Sequence, residues 1–334
     1  MLEQKLSYES PKKRSWLRNL VLYGTVGLAA LVGGCEGCGE KNEVSFLSGK
    51  DIYVVREDGS NKRNITNTPD EEETNYLWSG DGKRIAFNVI RHHEIFIINR
   101  DGTGLQKPSP TDLYNAAPSW SPDGTKIAFY AMSKLFVMNS DGSNVKQING
   151  DIDLPIKWSP DGKMILTPSY ATHPHQHIFI FLPAGPLLHD IEVAGPGTSW
   201  FSKSKLIIEK GEYWPQLGRG NYIKSNLKIY DLDTKQQTDL TSNIDGNFKS
   251  RPSLSPNGNQ IAFLVDSDMY IIDVNGSNPK KLVGNVNDTP LWSSDGKKLL
   301  FKKDNDVYIT DLSGRVTNIT NTPNEEEKEP QWVP

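Results

Sequence analysis

Residues 119–129 read SWSPDGTKIAF, and variants of this phrase recur along the chain. Proline, aspartate and glycine favour a tight turn, because proline fixes φ and glycine accepts a positive φ. The residues after the turn alternate as in a half-buried strand. The phrase therefore predicts a strand, a turn and a second strand. Variants begin at residues 77 (LWSGDGKRIAF), 157 (KWSPDGKMILT), 199 (SWFSKSKLIIE), 253 (SLSPNGNQIAF) and 291 (LWSSDGKKLLF).

The spacing of these phrases indicates the architecture. Their anchor residues are separated by 42, 38, 42, 54, 38 and 40 positions: Trp78, Trp120, Trp158, Trp200, Leu254, Trp292 and Trp332. A period of about 40 to 45 residues is the length of one four-stranded propeller blade. Words such as DMYIIDVNG and NIT supply a third strand, a hairpin turn and a short fourth strand. We expect an all-β chain of four-stranded antiparallel blades.

The number of blades follows from how the ring closes. The IAF-like strand occurs seven times, and its first copy, residues 44–46, has no tryptophan strand before it. The last tryptophan, Trp332, has no IAF-like strand after it. Because closure removes exposed sheet edges, we expect the Trp332 strand to complete the N-terminal blade. This arithmetic predicts seven blades, with six as the alternative.

Two distant segments share one template. Residues 64–78 read NITNTPDEEETNYLW and residues 318–332 read NITNTPNEEEKEPQW. In a closed ring they belong to neighbouring blades, so the acidic triplets 71–73 and 325–327 should flank the closing seam. The interpretation of the triplets themselves is a solvated run of charge.

The recurring words WSPDG, IAF, KLFVMNSDG and NIT resemble the WD-like repeats of TolB-type propellers across residues 43–334. The resemblance implies a TolB-like β-propeller. TolB itself is a periplasmic protein with a separate α/β domain before a six-bladed propeller. We find no counterpart of that domain in this sequence, so the partners of TolB are not transferred to this chain.

Residues 1–34 are predicted to be a signal peptide with a lipobox. The apolar run 20–34 is shorter than the roughly 20 residues of a membrane-spanning helix. Leu-Val-Gly-Gly before Cys35 resembles a bacterial lipobox, which implies lipid on this cysteine; an uncleaved membrane anchor is the alternative. Residues 35–42 form a short linker before the propeller, 43–334. Basic residues precede the apolar run: Lys12, Lys13, Arg14 and Arg18.

Composition and motifs narrow the classes of function. A net charge of -4 offers no basic excess for nucleic acid. Cys35 and Cys38 are the two cysteines, so no second pair completes a zinc site. The sequence contains no GxSxG, GxxxxGK or HExxH motif. We expect a monomer without a cofactor, and the sequence does not favour an enzyme.

The loops differ between the two faces of the predicted ring. First-to-second and third-to-fourth turns lie on one face, here the turn face; second-to-third loops and interblade linkers lie on the other, the loop face. Long loops at 168–177 and 209–226 are predicted on the loop face, where binding residues collect on rigid scaffolds. The candidate ligand-binding residues, here the variable-loop patch, are Tyr170, His175, Tyr213, Trp214, Arg219, Tyr222, Arg91 and His93.

These features predict an extracytoplasmic propeller of the cell envelope, tethered to the membrane by lipid, that binds a protein or a glycan without catalysis. The alternative is a metal-dependent polysaccharide lyase or hydrolase. His173, His175 and His177 alternate and would share one side of an extended segment, although Pro174 disturbs a regular strand. Oligogalacturonate lyases, which are propellers of related repeats with a histidine-bound metal, give this alternative its precedent.

Overall fold

The computed structural model describes residues 42–108, 115–169, 176–195, 197–213, 222–322 and 324–334. The predicted signal peptide and Cys35 lie outside these residues. Among the described residues, no helix is long and apolar enough to cross a membrane. The described chain is built of strands joined by turns and linkers.

The strands, in chain order, are β1 (Glu43–Ser48), β2 (Asp51–Arg56), β3 (Arg63–Asn64), β4 (Glu73–Trp78), β5 (Arg84–Val89), β6 (Glu94–Asn99), β7 (Asn115–Trp120), β8 (Lys126–Ala131), β9 (Lys134–Asn139), β10 (Lys146–Asp151), β11 (Lys157–Trp158), β12 (Ile165–Ser169), β13 (Gln176–Phe181) and β14 (Leu187–Val193). They continue with β15 (Ser199–Ser202), β16 (Lys205–Tyr213), β17 (Tyr222–Asp231), β18 (Gln237–Asp239), β19 (Lys249–Leu254), β20 (Gln260–Val265), β21 (Asp268–Asp273), β22 (Lys280–Val283), β23 (Leu291–Trp292), β24 (Lys298–Lys303), β25 (Asp306–Asp311), β26 (Val316–Asn318) and β27 (Glu327–Trp332).

Seven antiparallel sheets form the blades of a propeller. In chain order they are blade I (β27-β1-β2-β3), blade II (β4-β5-β6), blade III (β7 to β10), blade IV (β11 to β14), blade V (β15 to β18), blade VI (β19 to β22) and blade VII (β23 to β26). Blade II has three named strands, and its fourth is reduced to one bridge between Ile97 and Gln106. The seven-bladed prediction is confirmed, and the six-bladed alternative is wrong.

The ring closes as the sequence predicted. Strand β27 pairs antiparallel with β1, with Val44 opposite Trp332 and Ser48 opposite Glu327. Chain segments from opposite ends of the sequence therefore share blade I. This pairing occupies the edge of β1 that would otherwise be exposed.

The anchor tryptophans join neighbouring blades. Apart from Trp78, each indole N–H donates to the backbone oxygen of the residue before the anchor of the preceding blade, over 2.8 to 3.2 Å: Trp120 to Leu77, Trp158 to Ser119, Trp200 to Lys157, Trp292 to Ser253 and Trp332 to Leu291. Trp78 donates instead to Ser45 Oγ at 2.8 Å. The repeated tryptophan is therefore an interblade hydrogen-bond donor as well as a core residue.

The apolar core lies between the blades. The phenylalanine of the IAF word is buried wherever it occurs: Phe46, Phe87, Phe129, Phe263 and Phe301. In each case it contacts an aromatic ring of the next strand, as in the stacked pair of Phe301 and Tyr308. Each aromatic pair lies within one blade, and its phenylalanine belongs to a buried cluster that also includes residues of a neighbouring blade, as Phe46 does with Leu300 and Val307 of blade VII.

The SPDG turns satisfy their own polar groups. In the turn between β7 and β8, Ser121 Oγ donates to Asp123 Oδ1 at 2.6 Å, and Thr125 N donates to the same oxygen at 3.0 Å. Lys126 N then donates to Ser121 Oγ at 2.9 Å. The turn aspartate is explained by turn chemistry.

The strand of each blade that carries the anchor residue is called its inner strand, and four inner strands (β4, β7, β19 and β27) carry a bulge at the same point of the repeat. Asn75, Ala117, Arg251 and Glu329 have φ of 49°, 48°, 54° and 50°, and each lies three residues before an anchor residue. The strand ladders shift register at these positions. A bulge bends its strand and redirects side chains. The four residues therefore occupy equivalent positions in the inner strands of four blades.

The predicted long loop at 209–226 is mostly strand. Strands β16 and β17 pair from Lys205 opposite Asp231 to Tyr213 opposite Tyr222. The equivalent hairpin of blade VI ends at Val265 opposite Asp268. About three further residue pairs at roughly 3.3 Å each extend the blade V hairpin about 10 Å farther on the loop face.

Candidate functional site

The variable-loop patch is only partly described. Tyr170, His175, Trp214 and Arg219 lie outside the described residues, and so does His173. The backbones of Tyr213 and Tyr222 are opposite each other at the end of the β16–β17 hairpin. Arg91 and His93 are exposed in the turn between β5 and β6.

The blade II turn is held by contacts with its own surroundings. His92 Nε2 lies 3.1 Å from Glu71 Oε1 in the preceding linker. Glu94, at the start of β6, is buried and forms an ion pair with Lys107 at 2.6 Å. These contacts hold the turn that carries the exposed Arg91 and His93.

His177 lies in strand β13, opposite Ser169 of β12. Its Nδ1 contacts the carboxylate of Asp190 in β14. Among the described residues, no three histidine, cysteine, aspartate or glutamate side chains are grouped so as to hold a metal ion. The metal site proposed for His173, His175 and His177 stays a prediction, because two of its members lie outside the described part of the chain.

The base of the β16–β17 hairpin is fastened to blade VI. Ser225 Oγ donates to the backbone oxygen of Lys249 at 3.1 Å and accepts from Lys249 N at 3.2 Å. Ser225 N also donates to Asn247 O at 2.9 Å. The neighbouring Phe248 is 42% exposed. The hairpin is therefore held against blade VI by hydrogen bonds at Ser225, and the exposed Phe248 ring lies beside it.

Charged groups meet near the inner strands of blades V to VII. Glu209 in β16 accepts from Arg251 N at 2.8 Å, and the Arg251 guanidinium donates to Asp288 Oδ1 at 2.9 Å. Burial raises the pKa of Asp288, against the effect of the Arg251 charge. Burial also raises the pKa of Glu209 to about 7, while Arg251 and Lys157 oppose that change.

Glu329 continues this arrangement into blade I. Its Oε1 accepts from Asn75 N of blade II at 3.4 Å, while its Oε2 is buried without a hydrogen-bond partner. Burial raises the pKa of Glu329 to about 7, and the nearby Asp288 charge adds to this. We call Asn75, Glu209, Arg251, Asp288 and Glu329 the axial belt.

The other half of the same ring has small or apolar residues. Ala117, Pro155 and Gly197 occupy the position that Asn75, Arg251 and Glu329 hold elsewhere. A Cβ atom at Gly197 would lie 1.8 Å from Glu209 Oε1, and one at Gly195 would lie 1.9 Å from Glu209 Oε2. These glycines allow the backbone to approach the carboxylate closely.

Lys157 is the cation on that apolar side. It is buried, and its Nζ donates to Thr198 O at 2.6 Å. Burial lowers its pKa to about 8, and the nearby Glu209 acts in the opposite direction. Lys157 therefore joins the inner strands of blades IV and V.

The twin acidic segments fold into matching clasps. In the first clasp, Asp51 accepts from Asn64 Nδ2, Thr66 Oγ1 and Thr68 N over 2.9 to 3.1 Å. Thr68 Oγ1 then contacts the carboxylate of Glu73, which is 2% exposed. Burial raises the pKa of Glu73 to about 7.

The second clasp repeats these contacts in blade VII. Asp306 accepts from Asn318 Nδ2, Thr320 Oγ1 and Thr322 N over 2.8 to 3.0 Å. Thr322 Oγ1 contacts the carboxylate of Glu327, which is 0% exposed.

These contacts change the interpretation of the acidic triplets. The third glutamate of each triplet, Glu73 or Glu327, is buried, whereas Glu72, Glu325 and Glu326 are exposed. The interpretation as a solvated run was therefore wrong for the third member. Both triplets contact the β1–β2 hairpin, because Glu73 N donates to Lys50 O and Glu327 is paired with Ser48. Their predicted place at the closing seam is confirmed.

Sequence reasoning missed the axial belt, although a signal was present. Asn75, Arg251 and Glu329 share one slot of the repeat, three residues before the anchor. A polar or charged residue in a slot that elsewhere holds alanine, proline or glycine marks the charged half of the ring. Glu209 and Asp288 belong to other slots, and their proximity needed the folded chain.

Comparisons with known proteins address the fold. No protein-family model matches the sequence, and no curated protein matches it. Among solved structures, TolB from Acinetobacter baumannii is 18% identical with a TM-score of 0.54, covering 88% of this chain and 67% of that one. A eukaryotic initiation factor is 14% identical, covering 89% and 99%, with a TM-score of 0.51.

A structure of a nidogen/laminin complex is 11% identical, covering 87% of this chain and 98% of that one, with a TM-score of 0.51. At these identities the similarity shows the fold alone. The predicted resemblance to a TolB-like β-propeller is confirmed at that level.

Proposed function

We propose that this chain is a non-catalytic binding or scaffold propeller that recognises a protein or a glycan of the cell envelope through its loop face. In this proposal it acts as an extracytoplasmic monomer, held at the membrane by lipid on Cys35. The observation that carries the proposal is the β16–β17 hairpin, which extends past the equivalent hairpin of blade VI.

The loop face has the properties of a recognition surface on a rigid scaffold. The hairpin is fastened at Ser225, and Phe248 is exposed beside it. The segment 214–221, which joins the two strands, contains Trp214 and Arg219, residue types that dominate binding energy at interfaces. Ligand binding at such loops needs little reorganisation of the ring.

Site-specific crosslinking tests which face is used. A photoreactive amino acid at position 213 should capture a discrete partner in intact cells. The matched control is the same amino acid at Val316, an exposed residue on the turn face. The double variant Tyr213→Ala and Trp214→Ala should lose capture while keeping its thermal midpoint. Equal capture from both faces, or capture retained by the double variant, contradicts the proposal.

Metabolic labelling tests the tether separately. Labelled palmitate should appear on the wild-type chain and be absent from the Cys35→Ser variant, with Cys38→Ser as the matched control. An exported wild-type chain without label contradicts lipid attachment and leaves the loop-face function to the crosslinking result.

A further inference from the structure

The described chain begins on the turn face of the ring. Asn42 O accepts from Glu57 N at 3.0 Å, and Glu57 lies in the turn between β2 and β3. Strand β1 then runs from this face to the loop face, where Ser48 is opposite Asp51. The segment that leads back to the predicted lipid site at Cys35 therefore leaves the ring from its turn face.

The length of that segment limits where a bilayer can lie. The chain from Cys35 to Glu43, at about 3.5 Å for each residue step, spans at most about 28 Å. A path from the turn face to the loop face must pass two outer strands, roughly 10 Å, and then follow the blade for roughly 20 Å. The β16–β17 hairpin would keep a bilayer about 10 Å farther away on that side. The segment is therefore too short to reach a bilayer that lies at the loop face.

Exposed apolar side chains mark one part of the turn face. Five of them lie where the fourth strand of a blade begins, with exposed fractions of 37% to 50%: Leu105, Val145, Leu187, Leu188 and Val316. They belong to blades II, III, IV and VII, whereas blades V and VI have polar residues at this place. Blade I, from which the segment leaves, lies within this run of neighbouring blades. We call the five residues the apolar arc.

The two faces differ in charge. Exposed carboxylates collect in the linkers and hairpin ends of the loop face: Asp70, Glu72, Asp266, Asp304, Glu325 and Glu326. On the turn face, lysines accompany the aspartates of the turns, as in the contact of Lys163 with Asp161 at 4.0 Å. The exposed Lys146 and Arg315 are next to two members of the apolar arc. A bilayer with anionic headgroups therefore repels the loop face more than the turn face.

We propose that the apolar arc lies in the headgroup region of an anionic phospholipid bilayer, with the loop face directed away from the membrane. This inference rests on the lipid attachment proposed above and names the surface that the attached chain turns to the bilayer. Partly exposed side chains of this number bind a bilayer weakly on their own. The lipid tether raises their effective concentration at the bilayer, so weak contacts suffice to hold one orientation.

Fluorescence quenching measures that orientation. The lipid-bearing chain is reconstituted into vesicles of phosphatidylethanolamine and phosphatidylglycerol that contain a spin label on the headgroup. A fluorescent amino acid at position 145 should be quenched at least about twofold more than the same amino acid at position 132. Val145 and Met132 are a matched pair, because both are exposed and they lie at opposite faces of blade III. Equal quenching, or stronger quenching at position 132, overturns the proposal.

A double variant tests the apolar arc itself. In Val145→Glu with Leu187→Glu, both changes are at exposed residues, so the thermal midpoint should stay unchanged. Quenching of the fluorescent amino acid at position 316 should fall at least about twofold, because carboxylates are excluded from the apolar boundary of an anionic bilayer. Met132→Glu is the control and should leave that quenching unchanged. Quenching that survives in the double variant overturns the assignment.

Two further measurements separate this inference from the proposed function. If labelled palmitate is absent from the chain, the quenching is repeated with a maleimide-linked phospholipid on Cys35 in the Cys38→Ser variant. Stronger quenching at position 145 than at position 132 then supports the membrane-facing surface, although native lipid attachment fails. A photoreactive amino acid at position 145 should form adducts with lipid in intact cells. Capture of a discrete protein from that position overturns the inference.

Discussion

Two threonine hydroxyls support the buried glutamates of the clasps. In Thr322→Val the shape is kept, but the donor to Glu327 is lost while that carboxyl group stays buried. The free energy of unfolding should fall by about 1 to 3 kcal/mol, because a buried acceptor loses its donor. Thr68→Val should have a similar effect on Glu73. Denaturant titration measures both.

The control for this prediction is Thr317→Val, at an exposed residue of β26. Surface substitutions of this kind usually change stability by less than about 0.5 kcal/mol. A Thr322→Val variant as stable as Thr317→Val would show that the clasp contributes nothing to folding.

The clasps were predictable from the sequence in part, because the repeat was visible but the burial of Glu73 was not. The duplicated NITNTP words predicted one structural part used twice, and the structure confirms that part. The burial of Glu73 was not predictable from its triplet, because its contact with Thr68 depends on Asp51, which lies in another strand. From sequence alone, a run of charged residues predicts a solvent-exposed segment.

At the scale of elements, the linker before β15 fits closely against β16. Gly197→Ala would place a Cβ atom 1.8 Å from Glu209 Oε1 and 2.9 Å from Arg251 N. The free energy of unfolding should fall by about 2 to 4 kcal/mol, because the packed backbone has little room to yield. Gly185→Ala is the matched control, because nothing lies within 4 Å of its Cβ position.

A double-mutant cycle identifies the cause of this loss. Removal of the carboxyl group in Glu209→Ala relieves the clash but leaves Arg251 N without its acceptor. The double variant Gly197→Ala and Glu209→Ala should be more stable than the sum of the single effects by about 1 kcal/mol or more. Simple additivity would mean that the glycine is required for another reason.

Elements also differ in how far their sequence predicts them. The six-residue strand β20 follows an SPNG turn and repeats the IAF word, so its hairpin was predictable. The β16–β17 hairpin lacks regular alternation in the segment after residue 208, and was therefore predicted as a loop. Its strands are supported by Ser225, whose partner Lys249 belongs to the next blade. Contacts between blades do not appear in a local pattern.

At the scale of the whole molecule, buried carboxyl groups set the pH dependence of folding. Glu73, Glu209 and Glu329 each have a pKa raised by burial from 4.5 to about 7. Their protonated forms are favoured in the folded chain, so the stability they contribute is full below pH 4.5 and is lost as pH rises through about 7. The thermal midpoint should therefore rise as the pH is lowered from about 8 to about 5.5.

The turn aspartates limit this effect at lower pH. Hydrogen bonds from Thr103 hold the pKa of Asp101 below its ordinary value of 3.8, and Ser143 does the same for Asp141. Their stabilisation is lost as pH falls below that value. A variant with glutamine in place of Glu73, Glu209 and Glu329 should show a flatter profile above about pH 5. A wild-type midpoint that falls between pH 8 and 5.5 contradicts the prediction.

The ring as a whole was the most predictable feature, because six copies of one phrase recur along the chain and five of them carry their own turn residues. Closure followed from the displaced count of the two strand types. The axial belt was not predictable to the same degree, because Arg251 of blade VI contacts Asp288 in the linker before blade VII, and no repeat word includes both. The repeated sequence motifs therefore predict the blades, whereas the candidate site lies at positions where the repeat is not kept.

The closing pair in blade I also has a mechanical consequence. Glu43 begins β1 at the turn face, where Arg100 contacts it, and Pro334 lies beside Gly82 of the β4–β5 turn on the same face. A chain held through the segment before residue 42 would hang from its turn face, with the hairpin facing away from the support. Tension on that segment runs along β1, whose ladders to β2 and β27 lie on both sides. Both ladders would bear the load together in shear, so a force applied before residue 42 would act on the strand that closes the ring.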